Sequence, residues 1–316
     1  MASLAGFGAY VPDRRLSNAE LAARLDCTPE WIYEVSGIES RHIAEESQTV
    51  EDLALLAAQN CLGELKIESS EIGMILVSSG SAARRFPGPA ASVGKALGIP
   101  GVPCLDIPVA SAGSLFGLAL AGRLSEAYGT ILLVAAEKMS EISQREPLDK
   151  NVAILFGDGA GACLVTPGSK GLCIVDSVLH SDGAFANDLF LDADGRLGMN
   201  GLTVIMQASR KIPAAIQEVL KKRKKAAADI AVFLMHQANQ NLIDRVAKGL
   251  GVPGGRFYSN ISHVGNTSSA SMLIAAAEYF RLNKLNPGER AVFAAFGAGF
   301  HWGALLTESS EVNFRG

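Results

Sequence analysis

The chain has 316 residues, 48% of them hydrophobic, with 33 glycines and a formal net charge of −4. That is enough apolar material for a large buried core, in one large domain or two fused smaller ones, and the acidic balance excludes a nucleic-acid or other polyanion surface as the default. The N-terminal decapeptide lacks a basic leader and no apolar run reaches the ~18 residues of a membrane helix, so a soluble, cytoplasmic protein without membrane contact is expected.

From the N-terminus, Glu30-Trp31-Ile32 and Ser36-Gly37-Ile38 precede Arg41-His42-Ile43-Ala44. Residues 74–79, 104–107 and 130–136 are apolar strand candidates separated by helical patterns. Between the first two lies Ser81-Ala-Ala-Arg84-Arg85-Phe86-Pro87-Gly88, a polar turn with paired arginines beside an aromatic. Residues 153–166 and 291–307 both read as apolar strand, Gly-rich turn, apolar strand, each closing a long run of alternating strands and helices. Residues 171–178 and 230–235 are the strand candidates of the second run. Continuous apolar strands alternating with helices predict a mainly parallel sheet covered on both faces, and the repeat predicts two halves, 1–168 and 169–316. The glycines of Gly157-Asp158-Gly159-Ala160-Gly161 do not open a helix as a G-x-G-x-x-G turn would, which excludes nucleotide phosphate binding. Cys27, Cys61, Cys104, Cys163 and Cys173 stand at irregular intervals in mainly apolar segments. They read as reduced core residues, with no metal site.

Three segments carry residues suited to chemistry. Leu105 to Gly113 reads as a strand running into a small-residue turn with Ser111 at its tip, ahead of an apolar, buried helix. Ser111 there is either a helix N-cap or a nucleophile at a helix N-terminus, where N–H groups and the dipole favour developing negative charge. His236 ends the strand 231–235 and precedes a helix over 240–249. Asn266 lies in the Gly-broken loop 258–271. Taken singly, a His at a strand end is a structural group and an Asn in Gly-Asn-Thr a turn former.

In order and spacing, the set of Trp31 with Ser36-Gly37-Ile38, Phe156-Gly157-Asp158-Gly159-Ala160-Gly161, His236-Gln-Ala-Asn239, His263-Val-Gly-Asn266-Thr-Ser and Phe296-Gly297-Ala298-Gly299-Phe300-His301-Trp302-Gly303 resembles the β-ketoacyl-acyl-carrier-protein synthase III family, over nearly the whole chain. The resemblance implies a thiolase-like α/β fold of two duplicated halves in five αβαβα layers. It implies an acyltransferase that needs no cofactor, takes an acyl group from acyl-coenzyme A onto residue 111 and condenses it with malonyl-acyl carrier protein, as a homodimer in fatty-acid or specialised-metabolite synthesis. Ser111, His236 and Asn266 would be catalytic. The N–H groups of Ser111 and Ala298 would form an oxyanion hole, and a His N–H and an Asn amide would stabilise the enolate left when malonyl loses CO2. Trp31, Arg84, Arg85, Phe86 and Asn239 would contact substrate, with Phe86 walling the neighbouring subunit's acyl pocket. Arg84 and Arg85 would pair with a diacid's carboxylate or form a subunit salt bridge. Gln237, Ala238, Asn239, Gln240, Asn241, Arg245 and Lys248 would meet the carrier protein.

The chain departs from the family pattern most at Ser111, where the family has cysteine. A thiol ionises near neutral pH, whereas an alcohol needs a base in the transition state. Three readings stand: an enzyme that uses Ser111, a chain in which the cysteine was deliberately replaced, and a non-catalytic subunit of a heterodimer. Simple acyl transfer or thioester hydrolysis is the alternative to condensation. Val35 replaces an arginine that commonly contacts coenzyme A phosphate, and Asn241 replaces the usual carrier-protein arginine, with Arg245 and Lys248 further along. The run Lys221-Lys222-Arg223-Lys224-Lys225 reads as a solvated helix end, with contact to an acidic carrier protein as the alternative.

Overall fold

The computed structural model describes residues 1–310. Its elements are β1 (Ala2–Tyr10), β2 (Arg15–Ser17), α1 (Asn18–Ala22), α2 (Pro29–Ser36), β3 (Ser40–His42), α3 (Val50–Leu65), β4 (Ile72–Ser78), α4 (Pro89–Ala96), β5 (Cys104–Ile107), α5 (Gly113–Tyr128), β6 (Thr130–Lys138), α6 (Ser140–Ser143), α7 (Lys150–Ala153) and β7 (Asp158–Pro167). There follow β8 (Leu172–Ser181), β9 (Leu189–Leu191), β10 (Leu197–Met199), α8 (Gly201–Lys222), β11 (Val232–Met235), α9 (Gln240–Leu250), β12 (Phe257–Tyr258), α10 (Ile261–Val264), α11 (Ser271–Leu282), β13 (Arg290–Gly297) and β14 (His301–Ser309).

Ten strands form one sheet in the order β12-β11-β13-β14-β8-β1-β7-β6-β4-β5. Within the sheet, the two halves join where Ser3 and Leu4 of β1 pair with Cys173 and Leu172 of β8. Outward from that seam each half repeats one order: its first strand, its last, its fourth, its second, its third. The fold is thiolase-like, two duplicated halves in five αβαβα layers. Helices α5 and α11 form the middle layer, in one core with Phe7, Leu133, Phe293 and Leu305 from both halves of the sheet. Helix α3, with Ala90 and Val93 of α4, covers the outer face of the first half, and α8 and α9 cover that of the second.

The expectation of a mainly parallel sheet is corrected. Pairs β4–β5, β4–β6, β11–β12 and β11–β13 are parallel, but β7 and β14 run antiparallel to both neighbours. A strand that returns beside its predecessor without a crossover helix must reverse direction. Residues 291–307 are the strand, turn and strand expected. Residues 153–166 are not: the Gly-rich stretch lies inside β7, and of the preceding residues only Phe156 forms a bridge, to Asn266. Packing explains those glycines. A Cβ at Gly161 would come within 2.6 Å of Leu273 Cβ and 2.8 Å of Ile274 N, so glycine lets α11 lie directly on β7.

Cys61, Cys163 and Cys173 are buried and all five cysteines are free thiols. Burial pushes the Cys61 thiol up to about 12. Among the described residues, no helix is long and apolar enough to cross a membrane, and no group of three or more His, Cys, Asp or Glu side chains could hold a metal ion.

Candidate active site

The middle-layer helices α5 and α11 point their N-termini into one region, and the turns ahead of them hold Ser111 and Asn266, while His236 comes from the turn between β11 and α9. Ser111 is 8% exposed and has φ +61°, left-handed. For a residue with a side chain this costs about 1–2 kcal/mol, and strain of this kind persists only where the surroundings impose it. The N-cap of α5 is Ala112, without a side-chain capping bond, so the cap reading of Ser111 is corrected. Two contacts fix the turn. The Ser111 N–H donates to Ser268 Oγ at 3.1 Å. A Cβ at Gly297 would collide with the Ala110 carbonyl and come within 2.7 Å of Ala112 N and 3.1 Å of Ser111 Cβ, so the Gly297-Ala298-Gly299 turn lies directly against the Ser111 turn. An acyl oxygen using the Ser111 N–H must share it with Ser268 or displace that hydroxyl.

A short hydrogen-bonded path then runs from Ser111 through Ser268 and Asn266 to the backbone just beyond His236. Ser268, also left-handed with φ +47°, donates its N–H to Asn266 Oδ1 at 2.9 Å. Asn266 Nδ2 donates to the Ala238 carbonyl at 3.3 Å, two residues beyond His236. That bond uses one of the two Nδ2 hydrogens, so a second donor remains. The Asn266 backbone is tied to Leu155 and Gly157, so the side chain is held from both ends.

His236 follows β11 and is 1% exposed. Its Nδ1 lies 2.6 Å from Ser271 Oγ, and the same hydroxyl accepts the Gln237 N–H at 3.0 Å. A Ser271 hydroxyl that accepts this N–H and donates its own proton to Nδ1 leaves the imidazole proton on Nε2. Burial alone pushes the His236 pKa down to about 3. The ring is therefore neutral near pH 7 and not a strong base, and in the tautomer with Nδ1 as acceptor it offers Nε2–H as a donor.

The other expected site residues separate into groups. Trp31 is half-buried on α2 with the Lys150 ammonium 4.7 Å from its ring centroid. Arg84, Arg85 and Phe86 lie in the exposed loop after β4, the arginines in no ion pair within the described residues, and Phe86 is 87% exposed. Gln237 and Ala238 are buried, at 0% and 8%, and Gln237 bonds the carbonyls of Met235 and Tyr258. Neither reaches a docking surface, which corrects that expectation. Asn239 caps α9 through the Asn241 N–H and bonds the Val35 carbonyl. Asn241 bonds the carbonyls of Glu34 and Val35, while Gln240 bonds Asp244 and Ser259. These three tie α9 to α2 and to the following loop. Arg245 and Lys248 are exposed on α9. Sequence reasoning missed Ser268 and Ser271, which it read only as part of a polar loop. It also passed over Glu137, a carboxylate closing an apolar strand, the signal that could have drawn attention to it.

Two family models match this chain: 3-oxoacyl-[acyl-carrier-protein (ACP)] synthase III over residues 105–183 and its C-terminal counterpart over residues 220–309. The β-ketoacyl-[acyl-carrier-protein] synthase III of Geobacillus kaustophilus is 34% identical over 306 residues, covering 96% of this chain and 97% of that protein. The chain belongs to the synthase III family. The enzyme of the same name from Staphylococcus aureus strain JH1 is 33% identical over 303 residues, 95% of this chain and 96% of its own. The crystal structure of 3-oxoacyl-[acyl-carrier-protein] synthase III from Aquifex aeolicus superposes with a TM-score of 0.93 at 31% identity, covering 98% of this chain and all of that one. Synthase III enzymes are acyl-transferring condensing enzymes, and this chain has their fold over 98% of its length.

Proposed function

We propose that this synthase III takes an acyl group from acyl-coenzyme A onto Ser111 and condenses it with malonyl-acyl carrier protein, in fatty-acid or specialised-metabolite synthesis in the cytoplasm. The observation that carries the reading is the path from Ser111 through Ser268 and Asn266 to the Ala238 carbonyl, two residues beyond a buried, neutral His236. In the acyl step the hydroxyl oxygen attacks the thioester carbonyl, the N–H groups of Ser111 and Ala298 stabilise the oxyanion, and the C–S bond breaks to release coenzyme A as the thiol, which takes up the hydroxyl proton. In the second step the malonyl carboxylate leaves as CO2. The enolate oxygen then accepts hydrogen bonds from His236 Nε2–H and Asn266 Nδ2–H, and its carbon attacks the acyl group on residue 111, breaking the ester bond, so that the β-ketoacyl chain stays on the carrier protein and the Ser111 oxygen takes a proton from solvent. Both side chains work as donors, so neither must change protonation state.

The halves divide at 168/169; residues 311–316 of the second lie outside the described residues. The bare Phe86 and the open edge of β5 fit a homodimer in which Phe86 walls the partner's acyl pocket. Trp31 stacks on the coenzyme A adenine, while Arg245 and Lys248 meet the acidic carrier protein.

The test uses labelled malonyl carrier protein and the Ser111→Cys variant. Replacing His236 or Asn266 by Ala should abolish CO2 release and leave at least partial self-acylation; undiminished CO2 release in both variants removes them from the mechanism. One observation favours a second reading, a non-catalytic partner of an active paralogue. The Ser111 hydroxyl accepts or donates no hydrogen bond among the described residues, and His236 is too weak a base to activate it. Recovery of a mixed dimer on co-expression with such a paralogue, without autonomous acylation, would select that reading.

A further inference from the structure

Glu137 is the penultimate residue of β6 and is fully buried. It forms no ion pair among the described residues; the neighbouring Lys138 ammonium turns away to Glu141 at 2.9 Å and to the carbonyls of Glu46 and Gln48. Burying a carboxylate without a cation is tolerated only where hydrogen bonds replace its water shell. Five donors do so here, divided between its two oxygens. Oε2 accepts Ser79 Oγ at 3.3 Å and Ser81 Oγ at 2.5 Å, both in the segment that leads to Arg84, Arg85 and Phe86. Oε1 accepts Ser269 N–H at 3.2 Å and Ser269 Oγ at 2.6 Å. The Gly80 N–H is shared, 3.1 Å from Oε1 and 3.0 Å from Oε2.

Ser269 comes from the other half of the chain. It directly follows Ser268, the left-handed residue that receives the Ser111 N–H and donates to Asn266. The strained loop is thus pinned at Ser269 by one oxygen of Glu137. We propose that Glu137 is a positioning residue that holds Ser268 and Asn266 in register with Ser111, so that the first half of the chain sets the geometry of the malonyl site in the second. This rests on the proposed role of Asn266 in decarboxylation. A glutamine at 137 keeps the size but presents an N–H where an acceptor is needed, against either the Ser269 N–H or the hydroxyls of Ser79 and Ser81.

The two oxygens supply an internal control. Ser269→Ala removes a 2.6 Å bond to Oε1, and Ser81→Ala a 2.5 Å bond to Oε2. These are bonds of equal quality to one buried carboxylate, and only the first leads to Asn266. In the native chain and in the Ser111→Cys background, Ser269→Ala and Glu137→Gln should lower kcat for CO2 release from malonyl carrier protein at least tenfold. KM should stay within about twofold, and Ser269→Thr should restore the rate. Ser81→Ala should change CO2 release less than threefold, although its thermal midpoint falls as far as that of Ser269→Ala. Equal losses of CO2 release in Ser81→Ala and Ser269→Ala, or losses that track the thermal midpoint, would overturn the proposal and leave the proposed function standing. A Ser111→Cys parent that releases no CO2 would sink both. Ser269→Ala also decides the matter if Glu137→Gln fails to fold.

Discussion

Replacing Ser271 by Ala removes one hydroxyl that serves two buried groups at once. The Gln237 N–H loses its acceptor, and His236 Nδ1 loses the donor 2.6 Å away. Each buried group left unmatched costs about 1–3 kcal/mol, so a loss of stability of about 2–6 kcal/mol is the upper range, reduced if water enters. The chemical consequence is separate. With nothing holding the Nδ1 lone pair, the imidazole proton divides between the two nitrogens and the ring loses its fixed orientation. Loss of one donor aimed at a developing oxyanion costs about 10²–10³ in kcat, and partial loss through tautomer mixing should cost about 10–100-fold in CO2 release. Self-acylation in the Ser111→Cys background should stay within about threefold, because Ser271 spends its hydroxyl on His236 and Gln237 while the Ser111 N–H bonds Ser268. The assay pairs labelled-CO2 release with 15N shifts of His236, which report the Nε2–H tautomer directly, and Ser271→Thr should restore both. Unchanged decarboxylation together with an unchanged tautomer in Ser271→Ala would refute the reasoning.

Three further outcomes follow from the same geometry. The His236 pKa is depressed from 6.5 to about 3 by burial. The unfolded chain therefore binds the extra proton first, so the stability due to the neutral buried ring is full above pH 6.5. It is lost as pH falls toward 3, by up to about 1.4 kcal/mol per pH unit. Urea midpoints between pH 7 and 4 should fall more steeply for the native chain than for His236→Gln, and parallel curves would contradict the burial argument. Gly297→Ala drives a Cβ into the Ala110 carbonyl and against Ser111. Acylation should drop at least a hundredfold, since a shift of about 1 Å in a reacting group has that effect, while a thioester adduct forming at the normal rate in the Ser111→Cys, Gly297→Ala double variant would show that the two turns are not coupled. If Arg84 or Arg85 reads a terminal carboxylate, succinyl- or glutaryl-coenzyme A should be preferred over the neutral chain of equal length by about one to two decades, and Ala substitution should erase the preference. A loosened dimer on size-exclusion chromatography with an unaltered substrate ranking would assign the arginines to the interface instead.

The fold was legible because apolar strands and buried helices leave strong periodic patterns: Cys104–Ile107 appears at the expected bounds, and His236 stands one residue past β11. Strand direction was not legible. Whether β7 and β14 return antiparallel depends on which strand they lie beside, and residue patterns in a strand buried on both faces look the same in either direction. The glycines of Gly157 to Gly161 were read as a turn although Gly161 serves the close approach of α11, a contact some 110 residues away in sequence. At the site, motif spacing located Ser111, His236 and Asn266, but the hydroxyls that hold them did not stand out. Ser268, Ser269 and Ser271 look alike in a serine-rich loop, and only the fold gives them separate partners in Ser111, Glu137 and His236. Docking residues adjacent to His236 were misjudged for a related reason: the turn at Gln237 and Ala238 faces inward, and polarity alone did not show that Gln237 spends its side chain on backbone groups.

The nucleophile at residue 111 is tested most directly by intact mass measurement of the chain after incubation with short and medium acyl-coenzyme A. The native protein should gain one acyl group slowly, because Ser111 lacks a base, Ser111→Cys should gain it faster by orders of magnitude, and Ser111→Ala should gain none. The same adduct on Ser111→Ala would contradict the assignment.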